Sequence, residues 1–199
     1  MHLNYANYET RKGVQPISWE DFHSICRGLA LAVATFDPQV ILGIARGGVY
    51  AGGLIAHLLR KDFYTIYLSR RAGDQKVSDQ PVWRVRPPDL VRGQRVLVVD
   101  EISSSGETLR MVKEELAHLG ADETRCAVLY AHTWGVQTPD YIGLISDALL
   151  INPWDREIVQ EGQVIFNPEY QYALELQHIP PASTLPLPGV VTAPLAKKP

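Results

Sequence analysis

Residues 96–109 read Val-Leu-Val-Val-Asp-Glu-Ile-Ser-Ser-Ser-Gly-Glu-Thr-Leu, and this stretch narrows the fold more than any other. The run 96–99 is apolar at every position, which suits a central parallel strand covered on both faces rather than a half-solvated one. Asp100 and Glu101 follow at its carboxyl end, where open α/β sheets bind their ligands. The turn 103–106 then leads into a helical pattern from Glu107 to Leu119. Backbone N–H groups at such a helix start lack intrahelical partners and favour a phosphate. Neighbouring carboxylates accept the paired hydroxyls of a sugar well. The segment therefore reads as a site for a phosphorylated sugar.

The rest of the chain supplies a matching framework. Ser18-Trp-Glu-Asp21 resembles a capping box, with Phe22, Ile25, Leu29 and Val33 following at helical spacing up to Asp37-Pro38. An apolar strand at 40–45, a glycine-rich turn, a helix at about 50–60 and a β-rich run at 63–69 come next. Residues 71–81 are polar and contain breakers, 82–85 suit a short strand, and Pro87-Pro88 and Gly93 punctuate the approach to 96–99. After helix 107–119, Gly120 is placed to end it, and 125–130 reads as another strand. The alternation predicts an α/β fold with a doubly wound, mainly parallel sheet flanked by helices. Residues 132–179 are less regular. Prolines at 180, 181, 186, 188, 194 and 199 set off 181–199 as an extended or disordered tail, leaving 1–180 as one expected domain.

Composition limits the function classes. A 199-residue chain that is 46% hydrophobic can bury one sizeable core, and a formal charge of −3 with no long basic run argues against a nucleic-acid partner. Cys26 and Cys126 stand far apart, without a Cys-x-x-Cys pair or a histidine cluster at metal spacing, which fits a reduced, cytoplasmic setting. The N-terminus has no apolar signal core and no run approaches membrane-spanning length, so no membrane partner is expected. Neither a Gly-x-x-x-x-Gly-Lys-Ser/Thr loop nor a Gly-x-Ser-x-Gly elbow is present, which argues against a nucleoside triphosphatase and a serine hydrolase.

Segment 96–109 resembles the phosphoribosyl-pyrophosphate (PRPP) signature of type I phosphoribosyltransferases: an apolar strand, two acidic residues, an intervening pair, then a hydroxyl-rich turn ending Gly-x-Thr. The resemblance implies that Asp100 and Glu101 hold the ribose hydroxyls and a Mg²⁺ ion, a role that suits their hard oxygens. It also implies that Ser104, Ser105, Gly106, Glu107 and Thr108 wrap the 5′-phosphate, with Ser103 among the substrate-binding residues. A second turn, Gly43-Ile-Ala-Arg-Gly-Gly-Val49, occupies the place of the family's pyrophosphate loop. There the resemblance implies a cis peptide between Ala45 and Arg46, with Gly47 and Gly48 allowing close backbone approach. The stretch 70–83 corresponds to the family's mobile loop, from which Arg70, Arg71 and Lys76 are candidates to reach the departing pyrophosphate.

The C-terminal part, about 132–179, resembles the base-recognition hood of the xanthine-guanine branch through His132-Thr-Trp134, Pro139-Asp-Tyr141 and the stretch ending Pro-Trp-Asp155. Three positions depart from that pattern. Ser104 stands where purine enzymes have an aspartate proposed to handle the N7 proton, His132 where they have a lysine that reads the 6-oxo group, and Leu149, followed by Leu150, where a tryptophan stacks on the base. Trp134 and Trp154 remain as aromatic faces. The implied activity is Mg²⁺-dependent transfer of the phosphoribosyl group from PRPP to a small, purine-like heterocyclic base, by a homo-oligomer. Asp100, Glu101 and Ser104 are the residues nearest the chemistry. Ser104 leaves open a PRPP-binding regulatory protein without transferase activity, and His132 and Leu149 leave open another nitrogen heterocycle as acceptor.

Overall fold

The computed structural model describes residues 11–72, 75–76, 78 and 80–178. The proline-rich tail lies outside them. In chain order the elements are β1 (Val14–Pro16), α1 (Trp19–Val33), β2 (Val40–Ile44), α2 (Gly47–Leu59), β3 (Asp62–Ser69), β4 (Arg71–Ala72), β5 (Gln75–Lys76), β6 (Val82–Val85), β7 (Arg95–Ser103), α3 (Glu107–Leu119), β8 (Glu123–Ala131), β9 (Tyr141–Ile145), β10 (Leu149–Ile151), β11 (Glu157–Gln160), β12 (Gln163–Phe166) and α4 (Pro168–Leu176). Among the described residues no helix is long and apolar enough to cross a membrane. These elements divide into two compact units, one comprising residues 24–146 and the other 11–23 with 147–178.

The larger unit is built on a six-stranded sheet of order β6-β3-β2-β7-β8-β9. All its neighbouring strands run parallel except β6, which is antiparallel to β3 at the edge. The central strands are buried throughout their apolar lengths, as the unbroken runs 40–44 and 96–99 require. Val40, Leu42, Val96, Val98, Cys126 and Val128 pack with Leu109, Val112 and Leu116 of α3, so α3 covers one face. On α2, Gly48 and Gly52 make a close approach to the sheet possible. A Cβ at Gly48 would lie 2.5 Å from Val99 O and 2.8 Å from Asp100 Cα, and one at Gly52 would lie 3.2 Å from Gly43 Cα. Glycine costs about 1 kcal/mol in a helix relative to alanine, a penalty accepted here because no side chain fits.

Several element bounds differ from the sequence expectation, three of them near the site. β7 continues four residues past Val99, because Asp100, Ile102 and Ser103 keep pairing with Val128, Tyr130 and Ala131 of the buried neighbour β8. α2 begins at Gly47 rather than near Tyr50, because packing against β7 outweighs the poor helix propensity of a Gly-Gly start. Tyr141–Ile145, in the stretch read as irregular, is the sixth strand of the sheet, paired with β8.

In the smaller unit β1 pairs parallel with β10, and β11 and β12 form an antiparallel hairpin. Val14, Leu149, Ile151, Tyr170, Ala173 and Leu174 form its core. α4 starts at an Asn167 cap whose side chain accepts a hydrogen bond from Glu169 N at 3.0 Å, with Pro168 in its first turn, a common N-terminal arrangement.

Candidate active site

An open cleft of about 420 Å³ lies at the carboxyl edge of the larger unit's sheet, walled by residues 44–45, 68–70, Pro81 and 100–109. Its floor is the end of β7. Asp100 is partly buried there, and its Oδ1 accepts a hydrogen bond from Glu101 N at 2.8 Å. Desolvation dominates over that bond and pushes the Asp100 carboxyl up to about 7. A Cβ on Gly47 would fall on the Glu101 carboxylate, so the β2–α2 turn and the acidic pair are in direct apposition. The peptide between Ala45 and Arg46 is cis, as the resemblance implies. Ala45 lines the cleft, and Arg46 caps α2 ahead of Gly47 and Gly48.

The turn from β7 to α3 forms the next wall. Gly106 caps α3 with φ of 71°, a left-handed conformation that glycine adopts freely, and its missing side chain leaves room for Thr138. Ser105 Oγ accepts from Glu107 N at 3.4 Å, while Ser104 and Thr108 also line the cleft. Ser103 is buried and its hydroxyl donates to Gly135 O at 2.8 Å, which bolts the 132–135 turn to the end of β7. Arg70, at the end of β3, forms an ion pair with Glu107 across the cleft. The side chains of Arg71 and Lys76 lie outside the described ones.

His132 and the leucine pair are placed differently from these. The His132 ring is buried, with Nδ1 2.7 Å from Ser146 O and its face stacked on Trp134 at 4.7 Å between centroids. Leu149 and Leu150 belong to the smaller unit, buried in β10, with Leu149 in that unit's core. Several participants carried no recognisable local pattern. Thr138 accepts from Arg110 Nη1 at 3.3 Å, Lys113 Nζ reaches Asp140 at 2.8 Å, and Asp140 also accepts from Cys126 N. These bonds hold the chain after 135 to α3 and β8, and only the fold brings their partners together.

The two carboxylates fit a magnesium ion of limited demands. Mg²⁺ takes one or two carboxylates and draws its other oxygens from water and substrate phosphates. Asp100 and Glu101 supply that many, and among the described residues no three His, Cys, Asp or Glu side chains converge into a cage.

A family model for the phosphoribosyl transferase domain matches residues 18–162. This chain belongs to the phosphoribosyltransferase family. A xanthine-guanine phosphoribosyltransferase of Nitratidesulfovibrio vulgaris is 28% identical over 164 residues, covering 78% of this chain and 93% of the relative. The crystal structure of a purine phosphoribosyltransferase from Pyrococcus horikoshii superposes with a TM-score of 0.65 at 27% identity, over 75% of this chain and 99% of that one. A xanthine-guanine-hypoxanthine phosphoribosyltransferase of Helicobacter pylori shares the fold, with a TM-score of 0.54 at 21% identity over 71% of this chain and 92% of that one. The sheet with its flanking helices is thus the type I phosphoribosyltransferase core.

Proposed function

We propose that this enzyme transfers the phosphoribosyl group of PRPP to a ring nitrogen of a purine base, in a Mg²⁺-dependent reaction that releases pyrophosphate and a nucleoside 5′-monophosphate. One observation carries the reading: within a single cleft, the carboxylates of β7 stand between the amide-rich start of α3 and the glycine turn after β2. That spacing suits a ribose with a phosphate at one end and a leaving group at the other. Residues 104–108 take the 5′-phosphate through hydroxyls and first-turn amides. Asp100 and Glu101 accept the ribose hydroxyls and fix the sugar in front of the 45–48 turn, whose amides receive the pyrophosphate. Arg70 exchanges Glu107 for a pyrophosphate oxygen. Asp100 and Glu101 would also hold Mg²⁺, which when bound neutralises charge on the leaving group.

Bond breaking at C1 ahead of bond making leaves positive charge on the ribose ring, and the carboxylates beneath it stabilise that charge. The purine class of acceptor rests on the Nitratidesulfovibrio and Pyrococcus relatives. Ser104 offers a hydroxyl where a carboxylate is proposed to handle the N7 proton, so proton transfer contributes less here than the ~10²–10⁴-fold typical of a well-placed acid–base group. That same residue favours a second reading, a PRPP-binding protein without transferase activity. Pyrophosphate release from PRPP and Mg²⁺ over a panel of bases tests both. Turnover with hypoxanthine, xanthine, guanine or adenine supports the first reading. PRPP binding without turnover on any base supports the second, and turnover on a non-purine base alone overturns the purine assignment.

A further inference from the structure

We propose that Trp134 is the aromatic face on which the acceptor base stacks, and that His132 is a positioning residue that holds it there. The inference rests on the phosphoribosyl-transfer reading of the cleft. In the sheet order, β7 has β2 on one side and β8 on the other. Displacement at C1 with inversion brings the incoming nitrogen to the side opposite the leaving group. With the ribose above the end of β7 and pyrophosphate at the turn after β2, the base approaches over the end of β8. That end, at Ala131, runs directly into the turn holding His132, Trp134 and Gly135.

The turn is tied to the cleft by close contacts. His132 N donates to Ser103 O at 3.1 Å, and Ser103 Oγ donates to Gly135 O. A Cβ at Gly135 would lie 2.5 Å from Ser104 O and closer still to Ser103 O, so Gly135, next to Trp134, rests directly on the chain that walls the cleft. Trp134 is 49% exposed although it is one of the largest apolar side chains of the unit. Its ring is nevertheless supported, stacked on His132 with an interplanar angle of 21°. A carbonyl only accepts, so His132 Nδ1 carries the hydrogen toward Ser146 O and the imidazole is locked in plane. The buried His132 ring, 1% exposed, thereby acts through Trp134. Trp154 is engaged otherwise, 5.0 Å from Phe22 and 6.1 Å from Trp19 between ring centroids in the smaller unit.

A stacked platform of this kind reads planarity and ring area, so it fits a bicyclic heteroaromatic base better than a single ring. The test measures KM for guanine and adenine and the calorimetric affinity for PRPP with Mg²⁺ in wild type, Trp134→Ala and Trp134→Phe. Binding of guanosine and adenosine 5′-monophosphates is followed by tryptophan fluorescence of the wild type and by calorimetry of all three. The expected result is a loss of base and mononucleotide affinity of about 5- to 100-fold in Trp134→Ala, most of it restored by Trp134→Phe, with PRPP affinity unchanged. Mononucleotide binding should quench wild-type fluorescence. A wild type active on purines whose Trp134→Ala variant keeps KM within about twofold overturns the stacking role alone. A wild type that binds PRPP but neither turns over purines nor binds either mononucleotide overturns both the stacking role and the purine reading.

Discussion

The two turns that face each other across the cleft work by opposite means. The β2–α2 turn contributes by what it lacks: Gly47 leaves space for the Glu101 carboxylate, and Gly48 lets the helix start touch the backbone of β7. The end of β7 and the turn into α3 contribute by what they carry, two carboxylates on the strand and a run of hydroxyls above a helix start. One half of the cleft thus works by shape and the other by chemistry. Substitutions in the first turn act through sterics and those in the second through charge.

The sharpest division comes from the charged turn. Asp100→Asn combined with Glu101→Gln should abolish Mg²⁺-dependent PRPP binding, a loss on the order of 100-fold or more by calorimetry, with thermal unfolding retained. The reason is that hydrogen bonds to charged groups are each worth about 1.5–3 kcal/mol. Unchanged PRPP affinity would remove chemistry from this turn. Ser104→Asp should raise kcat with hypoxanthine, xanthine or guanine, below a ceiling of about 10²–10⁴-fold, with PRPP affinity nearly unaltered because amides hold the phosphate. No gain in a wild type already active would show that the reaction does not need an acid at that position.

The glycine turn is broken by size. Gly48→Ala places a methyl on backbone atoms of Val99 and Asp100, which cannot swing aside. Overpacking of about 1–3 kcal/mol exceeds the roughly 1 kcal/mol that alanine gains in a helix, so Tm should fall by several °C. Gly47→Ala meets chiefly the movable carboxylate end of Glu101, with Glu101 Cβ at 2.8 Å as the fixed obstacle, so it should weaken PRPP binding by about 10-fold while costing less stability than Gly48→Ala. Equal Tm losses in the two variants would mean that both glycines serve packing alone.

The smallest effect expected is in pH. Because burial raises Asp100 to about 7, the folded enzyme holds that proton more tightly than the unfolded chain. Stability from this group therefore declines as pH rises from about 4 to about 7. Asp100→Asn should raise Tm relative to wild type at pH 8 and much less at pH 5, by a few °C. Cation-assisted PRPP binding should strengthen between pH 6 and pH 8, up to about 10-fold, as the proton leaves. The reverse trend in either measurement would place Asp100 outside a desolvated site.

Much of the candidate site was legible in the chain because it is local. An apolar run, two acids, a glycine and a helix start are consecutive in 96–109, and α3 spans Glu107–Leu119 with Gly120 closing it as expected. The cis peptide at Ala45-Arg46 was legible only by resemblance, since no residue pattern specifies it. Pairings across distance were not legible. Periodicity and capping are properties of neighbours in sequence, whereas burial and ion pairing depend on which strand lies alongside. The sheet order decided that β7 runs on to Ser103, that Arg70 meets Glu107, and that Gly135 rests on Ser103. Tertiary packing also separated residues that the sequence left equivalent. It buried the His132 ring beneath Trp134, left Trp134 half exposed, and enclosed Leu149 in the core of the smaller unit. The sequence by itself determined the chemistry available at the end of β7. Only the folded sheet, by setting β2 on one side and β8 on the other, decided which turns flank those carboxylates.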